Sequence, residues 1–221
     1  MLLSINQPAY LPWPGYFDRI ARSDLHVVLD HVQFEKNSFI NRNRILGANG
    51  PCWLTVPVRT KGRFGDLPIH EIEIDNTQRW ARKHIASLRG AYSKAPHFNE
   101  YWPSLHETLG RDFERLGHLC LEMTGHLLGF LGITTPLVYS HEHEFASNKS
   151  ELILEICRHF KADRYLSGPH GRDYLDVDSF HGNGIDVEFH DYRLEPYTQA
   201  APEFVPNLSV VDVLFNEGGG R

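Results

Sequence analysis

Cysteine is scarce in this chain: Cys52, Cys120 and Cys157 are the only three among 221 residues. They are odd in number and far apart, which excludes a disulfide framework and a zinc-ligand spacing and fits a reducing compartment. Positive charge is also in deficit. The formal net charge is −6, so no global attraction to nucleic acid or to anionic lipid is expected. Long apolar runs are missing. The longest, around 119–133, is broken by Glu122, His126 and glycines, so no membrane insertion is expected. The first residues lack the basic and apolar regions of a signal peptide, and the expectation is a cytoplasmic protein. Several signatures are absent as well: no Gly-x-Ser-x-Gly, no Walker A loop, no dinucleotide fingerprint. His141-Glu142-His143 has the wrong spacing for a helical metal pair and lacks a third ligand. Neither a metal nor a tightly bound cofactor is implied.

What the chain does have is ordinary globular composition, 41% hydrophobic and 23% charged, with 14 histidines and 12% aromatics. Leu2 to Asn6 reads as a buried strand, Gly15 to Arg22 as a helix and His26 to Leu29 as a second strand, the βαβ unit of a parallel sheet. Asn41 to Leu46, Cys52 to Val58 and Ile69 to Ile74 then read as an antiparallel meander. Helices follow over 78–92, 99–107 and 111–131. Parallel character returns with strands at Leu137–Tyr139, Arg164–Leu166 and Ile185–Phe189, and a helix over 148–160. Ser209 caps a terminal helix that begins at Val210. The expected fold is α/β: an open, largely parallel, Rossmann-like sheet, with a nucleotidylyltransferase-like order as one option. A β-meander at about 35–75 and helices at about 78–131 are inserted, all within a single domain over 1–221.

Candidate site residues follow from strand ends, because open α/β sheets bind ligands beyond their carboxyl ends. The first turn, Gln7-Pro8-Ala9-Tyr10-Leu11-Pro12-Trp13-Pro14-Gly15, is stiffened by three prolines, which would preorganise Gln7, Tyr10 and Trp13, with Gly15 near the next helix N-terminus. Packing of Tyr10 and Trp13 into the protein is the competing explanation. Asp30, at the second strand end with Gln33 close by, suits a ribose hydroxyl, a general base or a metal, or merely a loop cap. In Asn41-Arg42-Asn43 the two amides share one strand face and the arginine lies on the other, a pattern for sugar hydroxyls and phosphate or for a hydrated edge strand. Ser167 and Gly168 open a small-residue turn from which Arg172 could reach phosphates. His84, among Trp80 and Leu88 on a helix face, is a second base candidate or a satisfied core histidine.

The segments Gln7–Phe17, Asp30–Phe34, Asn41–Asn43, Trp53–Val58, Ala95-Pro96, Tyr165–Gly168 and Leu208–Asn216 together resemble the WbqC-like family, in order and over nearly the whole chain. The resemblance implies a bacterial protein of surface-glycan (O-antigen type) synthesis, and a transferase that modifies an activated amino sugar by acyl or aminoacyl transfer. The implied partners are a small-molecule substrate such as a nucleotide-linked sugar and an acyl-carrier donor. A looser likeness to nucleotidylyltransferases rests on the Ser167–Arg172 turn. The His-x-Gly-His motif of those enzymes is missing, and Trp13-Pro14-Gly15-Tyr16 occupies its place. A non-catalytic module that binds a sugar nucleotide or carrier protein is the third reading.

Overall fold

The computed structural model describes residues 1–63, 65 and 67–219. In chain order the first elements are β1 (Leu2–Asn6), α1 (Pro14–Ala21), β2 (Leu25–Val28), β3 (Arg42–Gly47), β4 (Gly50–Thr55), α2 (Trp80–Tyr92) and α3 (Phe98–Gly110). The remainder are α4 (Leu116–Phe130), β5 (Leu137–Tyr139), α5 (Lys149–His159), β6 (Arg164–Ser167), α6 (Val177–Gly182), β7 (Asp186–Phe189) and α7 (Val210–Glu217). The chain forms two compact units.

The first unit comprises Met1–Gln7, Gly15–Asp30 and Thr134–Arg193. It holds a five-stranded, all-parallel sheet in the order β5-β2-β1-β6-β7. Numbered by chain position among themselves, these strands run 3-2-1-4-5. The order therefore reverses between β1 and β6, the place where such sheets open a crevice at their carboxyl ends. Burial explains the sequence of the central strand: all five residues of β1 are buried, as a strand covered on both faces requires. Pro14 stands at the first position of α1, where its missing N–H breaks no helical bond. Tyr16, Phe17 and Ile20 bury the helix against the unit, while α5 buries Leu152, Ile153, Ile156 and Cys157. Fully burying side chains of the Ile156 class stabilises by about 2 kcal/mol each.

By chain position the second unit spans Pro8–Pro14, His31–Ile133 and Leu194–Arg221. Its described residues contain the antiparallel pair β3–β4, closed by a Gly47–Gly50 turn, and the helices α2, α3, α4 and α7. On α2 the residues Trp80, His84, Leu88 and Tyr92 recur every four positions and are all buried. Ser209 caps α7, its Oγ accepting from Val211 N. The expected meander loses its third strand. Ile69–Glu71 forms a 3-10 turn, and residues beyond it make only single bridges, Val58 with Ile74 and Glu73 with Arg115. Burial of Ile69, Ile72 and Ile74 accounts for the β-branched apolar pattern without a ladder. Among the described residues no helix is long and apolar enough to cross a membrane.

Candidate functional site

Five strand ends converge at the carboxyl edge of the parallel sheet. β2 delivers Asp30 and β5 delivers Ser140 and His141. Because β2 and β5 pair in register from His26↔Leu137 to Val28↔Tyr139, the residues just past them meet side by side. Asp30 is buried, at 5% exposure, and its carboxylate accepts hydrogen bonds from Ser140 and His141. Oδ1 accepts from Ser140 Oγ at 3.1 Å and from His141 N at 3.0 Å, and Oδ2 pairs with His141 Nδ1 at 2.6 Å. Ser140 Oγ in turn accepts from Asp30 N at 2.9 Å. The His141 side chain is 37% exposed. The cluster is thus a buried carboxylate fixing a histidine that reaches solvent, an arrangement that can orient the ring for proton transfer. With the Nδ1 proton directed at Asp30, the basic lone pair of the ring is on Nε2.

At the reversal of strand order, β1 ends in Asn6 and Gln7 and β6 in Ser167 and Gly168. Gln7 is half-buried, Gly15 is buried, and Ser167 Oγ donates to the Gly168 carbonyl at 3.1 Å. Arg172 is exposed in a 3-10 turn, its guanidinium lying 4.2 Å over the Phe189 ring. Arg19 of α1 lies against Gly168 so closely that a β-carbon there would overlap its Nη1. At the end of β7, His190 Nε2 pairs with Asp18 at 2.6 Å. Of the candidate residues, this unit therefore groups Gln7, Gly15, Asp30, Ser167, Gly168 and Arg172.

Tyr10, Trp13, Gln33, Asn41, Arg42, Asn43 and His84 belong to the second unit. Tyr10 is fully buried, with its hydroxyl 2.9 Å from His84 Nδ1, and the Trp80 ring stands edge-on to it. Burial is the main cause that pushes the His84 pKa down from 6.5 to about 4. Asn41 and Asn43 do share one face, and it is the buried one. Asn41 Nδ2 donates to Val56 O at 2.8 Å and Asn43 Nδ2 to Leu11 O at 2.6 Å. The second bond holds the first turn at Leu11, whose φ of 45° is left-handed. On the opposite face Arg42 stacks over Trp53 at 4.3 Å, and Trp53 neighbours Phe39 and, through it, Trp13. Gln33 lines a cavity of about 330 Å³ with Lys36, Thr60 and Arg63. Asn41 and Arg42 line a second of about 180 Å³, and Phe34, Lys36 and Thr60 border both.

From sequence, His141 is weighed only as a metal ligand and Arg19 is passed over. His141 follows a strand end as Asp30 does, and that position was its signal. Arg19 sits between Tyr16 and Ile20 in the apolar stripe of α1, so a charge on the buried face was legible there.

A protein of Mycobacterium tuberculosis carrying the description uncharacterized protein is 38% identical over 218 residues, which span 98% of this chain and 94% of the relative. No solved structure gives a significant match. The family model for the WbqC-like protein family matches residues 7–220, and the chain belongs to that family.

Proposed function

We propose that the protein is a transferase of bacterial surface-glycan synthesis that places an acyl or aminoacyl group on the amine of a nucleotide-linked sugar. The observation that carries this reading is the Asp30–His141 pair at the carboxyl edge of a parallel sheet. In the transfer, the sugar nitrogen attacks the carbonyl carbon of an acyl thioester. A C–N bond forms, the C–S bond breaks, and the thiolate leaves with the electron pair. His141 removes the proton from the attacking nitrogen through Nε2 and delivers it to the thiolate. Asp30 keeps the ring in the required tautomer and stabilises the imidazolium formed on the way. His84, buried against Tyr10 and with a depressed pKa, fits a core role better than a catalytic one. The donor and acceptor are cytoplasmic metabolites, so the reading requires a cytoplasmic protein.

The 3-2-1-4-5 strand order favours a second reading, nucleotidyl transfer, since nucleotide-binding sheets use it. Against that reading stands the absence of the paired histidines, whose place Trp13-Pro14-Gly15-Tyr16 takes. A thermal-shift panel of nucleoside triphosphates, nucleotide-linked amino sugars and acyl thioesters separates these. A ligand at 100 times its Kd adds about 2.7 kcal/mol of apparent stability. Stabilisation by nucleotide-linked amino sugars and thioesters supports acyl transfer. Stabilisation by nucleoside triphosphates, with pyrophosphate released from the triphosphate as a sugar phosphate attacks its α-phosphorus, would replace it with nucleotidyl transfer.

A further inference from the structure

Arg19 is a cation on the buried face of α1. It is 8% exposed, yet among the described residues no carboxylate pairs with it and no group accepts a hydrogen bond from its guanidinium. Its Nε is sealed from solvent without a partner. The carboxylate next to it in sequence, Asp18, is held by His190 at 2.6 Å and by Arg22 at 2.8 Å. The titratable groups around Arg19 are the phenols Tyr165, Tyr16 and Tyr174, which are uncharged near neutral pH, and burial lowers the Arg19 pKa, the direction expected without a counter-charge. Leaving a guanidinium buried and uncompensated is destabilising, and a fold that keeps one gains nothing from it alone.

The surroundings of Arg19 define the region its guanidinium reaches. Arg19 lies 3.3 Å by its Cζ from the place of a Gly168 β-carbon, so its fork reaches the carboxyl end of β6. The β1–β6 register runs Leu2↔Arg164 to Ser4↔Leu166, and two further steps set Asn6 beside Gly168. Asn6 shares its strand face with Ser4, which bonds His26, and the His26 ring meets Tyr16 of α1. That face is the one covered by α1. The Asn6 side-chain amide is buried there, and its Nδ2 is a second donor with no acceptor.

We propose that Arg19 and Asn6 form the subsite for the diphosphate of the nucleotide-linked substrate, at the reversal of strand order between β1 and β6. The planar guanidinium offers two parallel N–H donors to phosphate oxygens and the Asn6 amide a third. Gly168 has no side chain because the guanidinium occupies that space. The inference rests on the reading of the substrate as nucleotide-linked, while the site itself requires only an anion of phosphate chemistry.

The test is calorimetric titration of the full chain with inorganic pyrophosphate and with uridine diphosphate, using uridine as the uncharged control. Both anions are expected to bind and uridine to bind at least about tenfold more weakly than uridine diphosphate. Arg19→Gln is expected to weaken both anions by about tenfold or more. Should Arg19→Gln not fold, Gly168→Ala keeps the charge and displaces the guanidinium, and the same loss is expected. His141→Ala is expected to leave pyrophosphate affinity within about twofold while abolishing turnover. Pyrophosphate binding that is absent, or unchanged in a folded Arg19→Gln or Gly168→Ala protein, overturns the subsite even if amino sugars are acylated. Arg19-dependent pyrophosphate binding without acylation of any amino sugar upholds the subsite and rejects acyl transfer.

Discussion

Lowering the pH from 7 to 5 is expected to weaken the fold by about 2 kcal/mol for each of two buried histidines, His26 and His84. His26 lies in the parallel-sheet unit, with Nδ1 2.7 Å from Ser4 Oγ. Burial first, and then the charge of Arg19, pushes its pKa from 6.5 down to about 3. His84 lies in the second unit, and burial, opposed in part by a hydrogen bond to the Thr55 backbone, pushes it down to about 4. Both folded values are depressed, so the unfolded chain takes up these protons first as the pH falls. The stability is complete above pH 6.5 and is lost progressively from there toward the folded pKa values. At pH 5 an unfolded histidine is protonated in a ratio of about 30 to 1 while both folded groups remain mainly neutral, and RT ln 30 is about 2 kcal/mol. The window lies above the ordinary carboxylate range, so acid groups contribute little to it. Urea denaturation at pH 7 and pH 5 reads the loss, and His84→Gln keeps an acceptor for the Tyr10 hydroxyl while removing the titration. The drop between the two pH values is expected to be smaller by about 2 kcal/mol in that variant. An identical drop in the variant and the unchanged protein would refute the reasoning.

Other substitutions report on the remaining parts of the account. Asn43→Ala leaves the Leu11 carbonyl and the Arg44 N–H without the side chain that bonds both, and a loss of about 1–3 kcal/mol in urea denaturation is expected. Tyr92→Phe removes a donor to the buried Asp212 carboxylate and the acceptor of Leu46 N–H. Tyr197 and Gln199 still donate to Asp212, so the expected loss is about 1–3 kcal/mol with the fold retained. Asp30→Asn is expected to lower kcat by at least about a hundredfold with little change in KM, because it misdirects the His141 ring without removing a substrate contact.

Much of this architecture was written in local pattern. The short, mainly apolar run Leu2–Ile5 and the stretch His26–Val28 gave the parallel strands, and the four-residue recurrence from Trp80 to Tyr92 gave α2. Ile69–Ile74 misled because a stretch with three buried β-branched residues suits a strand and a turn that packs inward alike. The site was less legible. Asp30 was found by its place at a strand end, yet its partner His141 lies 111 residues away, and only the β2–β5 register joins them. Asn41 and Asn43 carry the right chemistry for a sugar, but their amides are engaged by Val56 and Leu11, which no spacing reveals. Whether Arg19 has a counter-charge depends on every residue around it, and a helical stripe shows only that it is buried.

The most direct measurement is the mass of a nucleotide-diphosphate-linked amino sugar after incubation with the purified protein and an acyl thioester. The account predicts that the sugar gains one acyl group on its amine, that free thiol appears in equal amount, and that His141→Ala abolishes both while still binding the sugar nucleotide. A sugar nucleotide that binds and keeps its mass, or one acylated equally well by His141→Ala, would contradict it.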